Sequence, residues 1–160
     1  MDLRRLRAGE WIAAVSGTVL LVSLFLPWYG AGDDTITAWQ ALRFLDVVIA
    51  LAALLALSLP VVTAAHRVPA VPIALSAFVT LAGMLATLLV VTRAASLPDG
   101  ADGREWAVWL ALAAALGVIA GGGLSMRDER LSPPGGHTDL TGRPVAGPPD
   151  IERLQAPRPR

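Results

Sequence analysis

The sequence predicts an all-α fold: a transmembrane four-helix bundle over residues 1–126, followed by a disordered tail over 127–160. Three observations predict it. Of 160 residues, 54% are hydrophobic and only 16% are charged, with a mean hydropathy of +0.58; ordinary soluble domains carry about 25% charged residues. Four continuous apolar runs are each long enough for a spanning helix, which needs roughly 20 residues to cross a hydrocarbon core of about 30 Å. The residues after 126 are rich in Pro and Gly, carry both charge signs and have few large apolar side chains. They bury too little to offset the entropy of ordering them.

The first run is Trp11–Trp28, with Pro27 at its end. Arg4, Arg5 and Arg7 before it also suggest a secretory signal peptide. However, the bulky exit Pro27-Trp28-Tyr29 stands where a cleavage site needs small residues, which favours a retained helix. The second run is Ala38–Leu59, where Thr37 and Gln40 have capping-box spacing and Pro60 marks the expected end. The third is Val71–Thr92, with Pro69 and Pro72 near its start, where Pro is tolerated. The fourth is Arg104–Ser125, with Asp102 as the expected N-cap and Glu105 behind it. Barrel strands would alternate polar and apolar residues in pieces of about ten. These runs are continuous and rich in Leu and Ala, so they read as helices.

All 13 basic residues are Arg. Ten lie on one side: Arg4, Arg5 and Arg7, Arg67, and six in the tail. Three lie on the other: Arg43, Arg93 and Arg104. The positive-inside rule therefore places both termini in the cytoplasm.

Composition excludes several function classes. There is no Cys, hence no disulfide, thiolate nucleophile, Fe–S cluster or Cys-ligated zinc. Net charge is zero and no basic cluster is interleaved with aromatics, so no nucleic-acid partner is expected. No Ser/His/Asp set, HExxH or phosphate-loop motif is present, and Gly121-Gly122-Gly123 ends a membrane helix with no strand before it. The expectation is a protein that is no enzyme, with no catalytic or metal-ligating residues and no cofactor. His66 and His137 lack a second ligand at helical spacing, and Asp33-Asp34 offers too few oxygens for calcium.

Three candidate features remain. Asp46 lies within the second run, about 13 Å from its start, and Arg43 is three residues earlier on the same face. An intramembrane ion pair is the expected reading; an ion or ligand site is the alternative. Trp28, Tyr29, Trp39, Trp106 and Trp109 gather at the outer interface as an aromatic belt; the alternative is a lipid- or ligand-binding mouth formed by Trp28, Trp39 and Trp106 with Asp33 and Asp34. Small residues form packing ridges: Ala113, Gly117 and Gly121 on the fourth helix, and Ser76, Thr80, Gly83 and Thr87 on the third. They serve packing within the bundle, or docking of a second copy or another membrane protein.

The LFLPWY exit of the first run, the Thr37-Ala38-Trp39 start of the second, the all-Arg basic set and the Pro-rich tail together resemble uncharacterised small four-span integral membrane proteins of high-GC Gram-positive (actinobacterial-type) bacteria. The resemblance implies a bacterial plasma membrane and no activity. The function expected is that of a non-enzymatic interaction or accessory subunit in the lipid bilayer. The alternative is a small transport or ligand-sensing protein that uses Asp46 and the outer aromatics.

Overall fold

A computed structural model describes residues 6–41, 44–65 and 70–131. Arg43, His66, Arg67, Pro69 and residues 132–160 of the expected disordered tail, His137 included, lie outside the described residues; 127–131, the expected start of that tail, are instead helical, continuing the last apolar run. Helix α1 spans Ala8–Ser23, α2 Ala38–Ala41, α3 Phe44–Ala65, α4 Ala70–Ala95 and α5 Trp106–Leu131. Strands β1 (Pro27–Ala31), β2 (Asp34–Thr37) and β3 (Gly103–Arg104) form one antiparallel sheet in the order β2-β1-β3.

The all-α expectation is therefore corrected: the chain is mostly helical but carries a small sheet. The first helix ends at Ser23 rather than Trp28 because the chain turns there. Phe25 and Leu26 donate backbone bonds to the carbonyls of Val22 and Ser23, and Pro27 has no N–H to continue a helix. Trp28 then folds back, and its Nε1 donates to the Ser23 carbonyl at 2.7 Å. Gly32, at φ +62°, turns the two-residue link from β1 to β2, a conformation that favours glycine. Loops too short to fold alone thus pair with one another.

Two further limits shift. The α3 helix passes through Pro60 to Ala65 instead of ending there, and its last turn is held by packing, with Thr63 and Ala64 buried. Asp102 does not cap the last helix: its Oδ2 accepts the Gly32 N–H across the cap at 2.6 Å. The Thr37–Gln40 pairing does form, with Gln40 Oε1 accepting the Thr37 N–H at 2.9 Å.

Three helices, α3, α4 and α5, are long and apolar enough to cross a membrane. The α1 helix is shorter, at 16 residues. Helix α1 packs on α3 and α5, and α4 packs on the same two, which closes a ring. The contacts are close because small residues meet backbone. A Cβ at Gly121 would lie 2.8 Å from Ala13 Cα, one at Gly9 2.9 Å from Ser125 Cα, and one at Gly17 2.9 Å from the Ala53 carbonyl. On the far side, a Cβ at Gly83 would lie 3.1 Å from the backbone nitrogen of Ile119. Large apolar side chains point outward instead: Trp11, Phe44, Leu51, Phe78, Leu81 and Leu88 are each more than half exposed.

Candidate functional site

The sheet caps the end of the ring where α1 and α4 terminate and α5 begins. Its central strand brings Trp28 and Tyr29 inward, and both are fully buried. The two rings tilt at 59° with centroids 6.5 Å apart. The Tyr29 hydroxyl donates to the Arg93 carbonyl at 3.2 Å, in the last turn of α4. Arg104 follows on β3: its Nε donates to the Ala94 carbonyl and its Nη2 to the Ala95 carbonyl at 3.1 Å. A guanidinium there satisfies helix-end carbonyls and opposes the negative end of the α4 dipole. Burial raises the Tyr29 phenol above its ordinary 10.0; Arg93 and then Arg104 pull it down, while Asp46 pushes it up.

Beneath this cap lies Asp46, in the first turn of α3. It is fully buried, and neither carboxylate oxygen has a hydrogen-bond partner among the described residues. Leaving such a group unpaired costs about 1–3 kcal/mol, and more if it is charged. Arg43, its expected ion-pair partner, lies outside the described residues.

The five outer aromatics do not form one group. Trp28 and Tyr29 belong to the core. Trp39 is half-buried, its ring 5.6 Å from Phe25 at 46°, and its Nε1 is buried without an acceptor among the described residues. Trp106 and Trp109 point outward from α5, at 55% and 56% exposure. Trp106 starts α5 next to Trp28, whose carbonyl accepts the Glu105 N–H at 2.8 Å, but the Trp106 ring is exposed where that of Trp28 is buried.

The packing ridges are placed as follows. Gly117 faces Ser16 and Gly121 faces Ala13, both on α1, but Ala113 is exposed. The ridge that meets α1 continues the other way, to the buried Ser125. On α4, Gly83 meets Val118 and Ile119, and Ser76 is buried. The hydroxyls of Thr80 and Thr87 bond back to the carbonyls of Ser76 and Gly83, each at 2.8 Å. A Cβ at Gly122 would lie 3.1 Å from the Ser76 carbonyl, so α5 has a second glycine face turned toward α4.

Sequence reasoning missed Glu10. It is 1% exposed, in the first turn of α1. Its Oε2 accepts the Arg7 N–H and its Oε1 accepts the Ser125 hydroxyl, both at 2.8 Å. Its signal was available: Gly9, Ala13 and Gly17 repeat every four residues, and Glu10 adjoins that stripe.

No protein family matches the chain, and no curated protein or solved structure is significantly similar to it.

Proposed function

We propose that this is a multi-pass integral membrane protein of a bacterial plasma membrane that serves as a non-enzymatic interaction or accessory subunit. Helices α1, α3, α4 and α5 make the four spans of a transmembrane bundle, with both termini in the cytoplasm. The observation that carries the reading is the placement of side chains: glycine and alanine meet backbone where the helices touch, and each long helix also turns large apolar residues outward, among them Trp11, Leu51, Phe78 and Leu116. Lipid gives helices no hydrophobic drive to associate, so close approach through small residues holds them together. The apolar exterior is the surface such a protein offers to lipid and to other membrane proteins. At 1.5 Å per residue α1 is only about 24 Å long, and the apolar turn Leu24–Leu26 extends its reach.

Purification of the full chain in mild detergent, with native mass measurement and protein identification, tests the role. A stoichiometric membrane-protein partner, or a defined homo-oligomer, is expected; a lone monomer that exchanges freely would overturn it. Cytoplasm-only reporters fused at residue 1 and residue 160 should both be active, and silence at either end overturns the four-span topology.

The unpartnered carboxylate of Asp46 favours a second reading, a small transport or ligand-sensing protein. Asp46→Asn should then abolish a ligand response that the accessory reading does not require.

A further inference from the structure

Two carboxyl groups are buried among the described residues, and the fold treats them differently. Glu10 accepts hydrogen bonds from the Arg7 N–H and the Ser125 hydroxyl. Asp46, fully buried under the cap, accepts none at either oxygen among the described residues. The core side chains of this end of the ring, Leu24, Ile49, Val90 and Val108, are apolar and fully buried. A carboxylate sealed from water with no donor does not stay charged; it takes up a proton. A metal ion is the poorer fit. Hard cations need several oxygens, and no three His, Cys, Asp or Glu side chains gather among the described residues. A proton needs one oxygen and no cavity.

The charged and titratable groups around Asp46 are few. Helix α4 brings Arg93, β1 brings Tyr29 and β3 brings Arg104. Helix α1 has none at this end, β2 carries the exposed Asp34, and Glu105 stands just ahead of α5, beside Gly30. The cap grips the end of α4 through three successive carbonyls: Tyr29 donates to that of Arg93, and Arg104 to those of Ala94 and Ala95. Both of these donors are spent on α4. The charge of Arg93 acts on Asp46 and Tyr29 alike, yet its guanidinium bonds neither carboxylate oxygen. A guanidinium and a proton compete for one carboxylate, because pairing favours the charged form and burial alone the neutral one.

We propose that Asp46 is a proton-binding site governed by the cap. With Tyr29 and Arg104 gripping α4, Arg93 is kept off the carboxyl group and Asp46 holds the proton. When the grip loosens, Arg93 pairs with Asp46. The O–H bond breaks, its electrons stay on the carboxylate, and the proton passes to water at the capped end. The guanidinium keeps its charge throughout. The proposal rests on the second reading of the Asp46 site and names the proton as its ligand.

The test is infrared spectroscopy of the full chain in detergent across a pH series. A neutral carboxylic acid gives a carbonyl stretch that a carboxylate lacks. The expected result is such a band in the native chain, fading as pH rises and missing from Asp46→Asn at every pH. Asn keeps the shape of the neutral acid, so that variant should fold. Arg93→Gln removes the competing charge and leaves the backbone carbonyl that Tyr29 uses. It should hold the band to a pH about one unit higher, equivalent to about tenfold tighter binding of the proton. Identical spectra of Asp46→Asn and the native chain overturn the site. A band that never fades, or fades at the same pH in Arg93→Gln, overturns the competition between Arg93 and the proton. Proton uptake into liposomes that hold the chain separates this proposal from the reading beneath it: a band that titrates without Asp46-dependent uptake keeps the proton site and rejects transport.

Discussion

Two glycines two positions apart on α5 should respond in opposite directions to the same added methyl group. At Gly121 a Cβ would lie 2.8 Å from Ala13 Cα and 2.9 Å from Ala13 Cβ, and the backbone nitrogen of Ala13 is closer still. Backbone cannot swing aside as a side-chain tip can, so α1 must move away from α5. Overpacking of this kind costs about 1–3 kcal/mol, and contact with main chain puts Gly121→Ala at the upper end. The helix-propensity gain of Ala over Gly returns about 1 kcal/mol. The net expectation is a loss of roughly 2 kcal/mol. At Gly123 an added Cβ meets nothing within 4 Å, so only the gain of about 1 kcal/mol remains. The two variants should differ by about 3 kcal/mol, which is roughly 6–12 °C in Tm for a chain of this size. Tryptophan fluorescence of the full chain in detergent reads the transition. If Gly121→Ala unfolds at or above the wild-type temperature, or both variants move the same way, the α1–α5 contact is not where the structure places it.

Three other outcomes follow from the same geometry. Ser125→Ala removes the hydroxyl that donates to the buried Glu10, and should cost about 1.5–3 kcal/mol by the same thermal assay, against near-zero change for the exposed Thr92→Ala. Gly117→Leu should destabilise more than Leu112→Ala because Ser16 stands against Gly117; Gly117→Ala should be partly rescued by Ser16→Gly, and failure of rescue would show that the strain lies elsewhere. Tyr29 is the only tyrosine in the chain, so absorbance near 295 nm titrates it alone. Its raised pKa means the folded state favours the neutral phenol. The resulting stability is fully present below pH 10 and is lost as pH rises through the higher folded value, so phenolate should appear only above 10 and together with loosening of the cap.

The sequence reveals helices more readily than it reveals how they end. Continuous apolar runs located α4 to within three residues and α3 and α5 to within six, because length and hydropathy decide what can be helical in an apolar setting. Pro60 misled, since a proline forfeits one backbone bond while packing of Thr63 and Ala64 holds the turn beyond it. The sheet was hidden for a different reason. Its strands are five, four and two residues long, too short for periodicity to register. Gly32-Asp33 between Trp28-Tyr29 and Thr35-Ile36-Thr37 was the one available hairpin signal.

The small-residue ridges show what spacing decides and what it leaves open. A repeat of four fixes a helix face but not where contact along it begins and ends. Gly117 and Gly121 lie on the contact face as spacing requires, yet contact runs on to Ser125 and leaves Ala113 exposed. The partner helix sets that limit: the stripe Gly9, Ala13 and Gly17 meets α5 from Ser125 back to Gly121, then turns its upper end, at Gly17, toward α3. Because α1 divides its small residues between two neighbours, a ridge on α5 cannot follow it for the whole length. Glu10 belongs to the same logic. It adjoins Gly9, where α1 packs directly on the α5 backbone at Ser125, and a carboxylate there reaches Ser125 without leaving the interface. The polar residue and the glycine beside it are therefore one feature: the close approach buries the carboxylate, and the facing hydroxyl satisfies it.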